Sequence, residues 1–115
     1  MILVDRNLLA ALCRKNGLRR AEALIAETVA LISTDMDRMH AIYRNGGAAE
    51  MTACAQALSR HAAAIGLTTL ARVTRDLALC ARSGDGVAFA AVWARFERTG
   101  APSVRMLWSA ANRRV

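Results

Sequence analysis

The sequence predicts an all-α protein: an up-down-up-down four-helix bundle with a short N-terminal helix before it and a kinked or broken C-terminal helix. Three observations carry this. Alanine fills 25 of the 115 positions while aromatic residues make up only 4%, a composition that favours helix. No stretch alternates Val, Ile or Thr with polar residues as a half-buried strand would. Four long apolar stripes recur at helical spacing, and the breaks between them are two to four residues long, which implies antiparallel neighbours. A chain of this length supports one domain over residues 1–115, with a single modest core.

Asp5 is placed to cap a short first helix that gathers Leu8, Leu9 and Leu12 on one face. Asn16-Gly17 ends it, with Gly17 supplying the left-handed position after the helix. A long second helix follows over Leu18 to Arg44. Its inward set is Ala21, Leu24, Ile25, Thr28, Leu31, Ile32, Met36, Met39 and Tyr43, close to an i, i+3, i+4, i+7 repeat. His40 falls beside this stripe and reads as a boundary residue.

Asn45-Gly46-Gly47 breaks the chain, and Glu50 at the third helical position suits the positive end of a new helix. This third helix runs from Gly47 to Gly66 and bears no charge between Glu50 and Arg60. At 100° per residue, Met51, Cys54, Leu58, Ala62 and Ile65 share one side, and Gln56 points away from it. Beside Gln56 lie Ala49, Thr52 and Ala63, flanked by Ser59 and Arg60. Exposed helix faces ordinarily carry long charged side chains, whereas a face of Ala and Thr is flat enough to dock another protein.

The fourth helix gathers Leu67, Leu70, Val73, Thr74, Leu77, Cys80 and Ala81, and ends at Arg82-Ser83-Gly84. Asp85 caps the fifth, whose stripe reads Val87, Ala88, Ala91, Val92 and Phe96, with Phe89 and Trp93 on a flank. Thr99-Gly100-Ala101-Pro102 is expected to interrupt or kink it, Pro102 opening a last helical segment with Val104, Leu107, Trp108 and Ala111 inward. Arg113, Arg114 and Val115 are expected to fray.

The net charge of +7 comes from 15 Arg and one Lys against nine carboxylates. Arg14, Lys15, Arg19 and Arg20 form the densest basic group, and Arg113 and Arg114 a second. Such a balance fits nucleic acid, acidic proteins or an anionic surface, but no aromatics interleave with the arginines as a base-stacking surface requires. Cys13, Cys54 and Cys80 are far apart, with neither a CxxC nor a nearby His pair, so they read as reduced core thiols of a cytoplasmic protein. The opening MILVDRN is too short an apolar run for a signal peptide, and no other stretch reaches membrane-spanning length. Neither a metal nor a cofactor is implied.

From about Leu8 to Leu107 the chain resembles the histidine-containing phosphotransfer (HPt) domains. The resemblance rests on three features. One is the order of short helix, long helix, Gly-containing break and central helix. Another is the spacing within AQALSRHAAAIGLTTLARVTRDLALCARSGD, where Leu58, Gly66, Leu70, Leu77, Gly84 and Asp85 match the family pattern. RSGDGVAFAAVWARFE then matches the last long helix. The family consists of four-helix bundles that pass phosphoryl groups between receivers in bacterial phosphorelays.

The resemblance places Gln56 where the family carries its phosphoacceptor His, Ser59 where it carries Lys, and Arg60 where a Gly lets a receiver approach. An amide nitrogen is delocalised and forms no phosphoramidate at neutral pH, so this pattern implies a member that has abandoned the chemistry. His61 is the rival acceptor, about 140° round the helix from Gln56 and at the margin of the core stripe. The implied function is a non-enzymatic phosphorelay module binding a response-regulator receiver domain or histidine kinase. Thr52, Gln56, Ser59, Arg60 and Ala63 would be its docking residues. Two other readings stay open: an active phosphocarrier using His61 or His40, and a basic bundle that binds nucleic acid or an acidic protein.

Overall fold

Helices joined by tight glycine turns account for nearly the whole chain. The computed structural model describes residues 1–112, with side chains as far as Ser109. Within them lie five helices and no strand: α1 (Arg6–Asn16), α2 (Leu18–Asn45), α3 (Ala48–Ala64), α4 (Thr68–Ser83) and α5 (Gly86–Asn112). The expectations for Arg113, Arg114 and Val115 lie outside the described residues, and that for Ala111 outside the described side chains.

The turns form for the expected reasons. Asp5 Oδ1 accepts the Leu8 N–H at 3.0 Å, capping α1. Gly17 takes φ +82 and its N–H bonds the Cys13 carbonyl. After α3, Gly66 at φ +78 completes a Schellman turn: its own N–H reaches the Ala63 carbonyl, and the Leu67 N–H reaches that of Ala62. Asp85 Oδ1 accepts the Ala88 N–H at 3.0 Å and opens α5.

Residues before α1 strap the same end of the molecule. Asp5 N–H donates to the Gly66 carbonyl at 2.7 Å, and Leu3 N–H donates to Thr69 Oγ1 at 2.6 Å. A Cβ on Gly66 would sit 2.9 Å from the Asp5 carbonyl oxygen, besides straining a left-handed backbone. Gly66→Ala is therefore expected to cost about 1–3 kcal/mol, read as a lower melting temperature. An unchanged melting temperature would mean that the strap yields freely.

Helices α2 to α5 pack in sequence order, most closely between α3 and α4. Ile25, Ile32, Met39, Met51, Cys54, Leu58, Ile65, Leu70, Val73 and Leu77 enter one core, as expected. Leu24 is only half-buried, and Leu31 and Tyr43 are half-exposed, so the inward stripe of α2 is narrower than its apolar residues suggested.

The last helix departs furthest from expectation. Val87 and Ala91 are exposed, while Trp93, expected on a flank, is buried with Phe96. Trp93, Phe96, Gly100, Ser103 and Leu107 form the inward face, spaced 3, 4, 3, 4. Trp108 is 40% exposed instead of inward. Nor does the chain break at Thr99-Gly100-Ala101-Pro102: α5 continues through Pro102. The ring removes one backbone donor from the helix, whose inward residues Ser103 and Leu107 are buried beyond it.

The backbones of α2 and α5 stay apart, and large side chains fill the gap. Tyr43 stacks on Trp93 with ring centroids 4.2 Å apart and planes 1° from parallel. His40 meets the same indole edge-on at 5.4 Å. Further along, Gly100 brings α5 onto α2, where an added Cβ would lie 3.1 Å from Met36 Sδ.

Candidate functional site

The outward side of α3 is not an open face but one wall of a groove. Its other wall is α4. Gln56, Ser59 and Arg60 line a depression with Arg75, Ala78, Leu79 and Arg82, enclosing about 400 Å³. The groove continues past Gln56 and Arg82 along Ala48, Ala49, Thr52, Ala53 and Ala81.

This placement sorts the expected docking residues. Gln56 is half-buried in the groove, a correction to its expected position at an exposed centre. Ser59 is corrected further: its hydroxyl donates to the Ala71 carbonyl at 2.9 Å and ties α3 to α4. Thr52 is half-buried, its hydroxyl donating back to the Ala48 carbonyl. Arg60 and Ala63 are exposed as expected, but Ala63 lines a separate depression with Asp5, Leu8, Arg72 and Arg75. Thr52, Gln56, Ser59 and Arg60 thus line the groove, and Ala63 lines the depression next to it, with Arg75 lining both.

Arg75 and Arg82 were not legible as site residues from α3 alone. Their signal was the run Arg72, Arg75, Leu79, Arg82, spaced i, i+3, i+7, i+10 and so presenting one outward stripe of α4. Among the described residues, Arg60, Arg75 and Arg82 form no ion pair. Asp76 turns instead to Arg95 of α5, 3.9 Å away.

His61 lies elsewhere, at the seam of α2 and α3. Its Nδ1 is 2.7 Å from Oδ2 of Asp35, a carboxylate 9% exposed, while the imidazole is 33% exposed. The contact fixes the ring by one nitrogen and directs it away from the Gln56 groove. Asp35 was missed because it falls on the apolar phase of α2, three residues after Ile32 and four before Met39. A carboxylate at a core position was itself the signal that it holds a partner.

Cys54 meets the backbone of the same residue. Its Sγ reaches the Asp35 carbonyl oxygen at 3.5 Å. Burial pushes the thiol pKa up, the Asp35 charge adds to the rise, and Arg38 opposes it. Cys54 is thus a protonated core thiol, whereas Cys13 and Cys80, expected to be core, are only half-buried. His40 is half-buried, with Nδ1 on the Met36 carbonyl at 2.8 Å and its ring against Trp93 and Phe96, which fits a boundary role.

The basic group Arg14, Lys15, Arg19 and Arg20 is exposed on either side of Gly17. Among the described residues no His, Cys, Asp and Glu cluster is suited to a metal ion, and no helix is long and apolar enough to cross a membrane. Comparison with known proteins gives no match, whether to a family model, a curated protein or a solved structure.

Proposed function

We propose that this chain is an HPt-like module of a two-component phosphorelay, which docks a response-regulator receiver domain or histidine kinase without accepting phosphate. The observation that carries the reading is the surface around Gln56. The residue matching the acceptor position lies in an accessible groove, its amide is not nucleophilic, and unpaired guanidiniums stand around it. The order of helices supports the up-down-up-down HPt arrangement. Docking is then by α3 and α4 together, with Gln56, Arg60, Arg75 and Arg82 as the contact set.

Two measurements test it. A panel of purified receiver domains from the source organism is expected to contain one that binds at micromolar affinity. After incubation with acetyl phosphate or with a phosphorylated receiver, the protein itself is expected to carry no acid-labile phosphate.

A second reading is favoured by the Asp35 contact. A carboxylate that accepts from Nδ1 holds imidazole as the tautomer whose Nε2 bears a lone pair, which suits a phosphocarrier using His61. Acid-labile phosphate that disappears in His61→Ala would establish it and remove the first. His40 Nδ1 likewise donates to the Met36 carbonyl, but a carbonyl carries no charge to stabilise an imidazolium, and the ring packs against Trp93 and Phe96.

A further inference from the structure

We propose that the α3/α4 groove reads the phosphorylated state of its partner: Arg60, Arg75 and Arg82 hold a phosphoryl group that remains on the partner throughout. The inference rests on the docking reading above and adds which form of the partner docks.

Charge is the first support. Three guanidiniums line one shallow depression, and among the described residues no carboxylate lies within ion-pairing distance of any of them. Asp76, beside Arg75 in sequence, is engaged by Arg95 on another helix. Like charges gathered without counterions repel one another, and an approaching anion relieves that repulsion. A phosphoryl group near its second ionisation carries about twice the charge of a carboxylate and three acceptor oxygens. It therefore gains more from this groove than an unmodified aspartate does.

Donor geometry is the second. Arg75 and Arg82 are seven residues apart on α4, about 10 Å along one side of the helix. Arg60 faces them from α3. Guanidinium forks engage phosphoryl oxygens in pairs, which a lysine ammonium does not. Gln56 adds an amide N–H₂ as a further donor. Ser59 adds none, because its hydroxyl proton is committed to Ala71. The hydroxyls that line the groove, on Ser59 and Thr52, donate to backbone carbonyls, and among the described residues no imidazole or carboxylate lines it to activate them, so no bond forms or breaks at phosphorus.

The occupant is a protein surface and not a free anion. Beyond Gln56 the groove is walled mainly by the small residues Ala48, Ala49, Thr52, Ala53 and Ala81, with Arg82 at its edge, so a broad surface can approach it. A small oxyanion would make no use of that half. An aspartyl phosphate set in an acidic receiver surface uses both halves, the charge at one end and the flat alanine bed at the other.

The test titrates the receiver panel against the protein with and without beryllofluoride, which mimics the aspartyl phosphate. The proposal expects one receiver to bind about tenfold or more tightly when activated, with Arg75→Ala and Arg82→Ala erasing most of that gain. Arg75→Lys should recover only part of it. Far-UV circular dichroism establishes that each variant is folded, which is expected because both side chains are exposed and unpaired. Equal affinity for both forms of a receiver overturns this proposal and leaves the docking reading standing. Failure of every receiver to bind overturns both. Salt-dependent binding of an RNA or DNA oligomer through these arginines also overturns both, in favour of a nucleic-acid surface.

Discussion

Replacing Trp93 with Ala is expected to remove about 3–5 kcal/mol of folding stability, among the largest losses from any single truncation in this chain. Trp93 is 3% exposed and touches every aromatic ring in its neighbourhood: Tyr43, Phe89, Phe96 and the imidazole of His40. Between α3 and α4 the backbones approach closely and small residues suffice. Between α2 and α5 they do not, so rings span the distance. Removing the indole leaves a cavity that helices held apart by their remaining contacts cannot close. Urea denaturation followed by far-UV circular dichroism measures the loss, and Trp93→Phe should recover roughly half of it. A loss under about 1 kcal/mol would mean that Met36 and Gly100 alone hold this seam.

Leu58→Ala is expected to cost about 2–5 kcal/mol. Leu58 is fully buried in the middle of α3 and lies two residues from Gln56, so the two side chains project about 160° apart. Stability and the proposed docking are therefore expected to be separable on one helix. The variant should melt earlier, yet below its transition it should bind a partner with parental affinity. Loss of binding at a temperature where the variant is folded would show that the core sets the shape of the groove.

The first four helices were legible because each has a stop signal with a backbone reason. Asp5, Gly17, Gly66 and Gly84 end or begin helices as their chemistry requires, and the α3 stripe from Met51 to Ile65 is buried without exception. The fifth was less legible. Val87, Ala88, Ala91 and Val92 form a plausible stripe by hydropathy, but the wide gap to α2 selects the larger Trp93 and Phe96. Pro102 read as an interruption because the preceding glycine and alanine resemble a loop; packing of Ser103 and Leu107 carries the helix past them.

The site was legible in half. Periodicity within α3 placed Gln56 away from the core but carried no information about what stands beside it. The α4 arginines belong to the groove only because the two helices pack together. Ser59 read as a docking residue since its phase points outward, and its bond to Ala71 depends on the same packing. Asp35 and His61 are 26 residues apart in the chain, so one-helix periodicity could not pair them.

The aromatic seam also gives the molecule an optical signature. Trp93 is enclosed and stacked on Tyr43 beside an imidazole, whereas Trp108 stands 40% exposed on the same helix. The two indoles therefore report from different surroundings, one blue-shifted and sensitive to quenching by its neighbours, the other red-shifted and open to iodide. Spreading α2 from α5 would change the first emission and leave the second as an internal standard. Any event that loosens the bundle could then be followed by light alone, without a label.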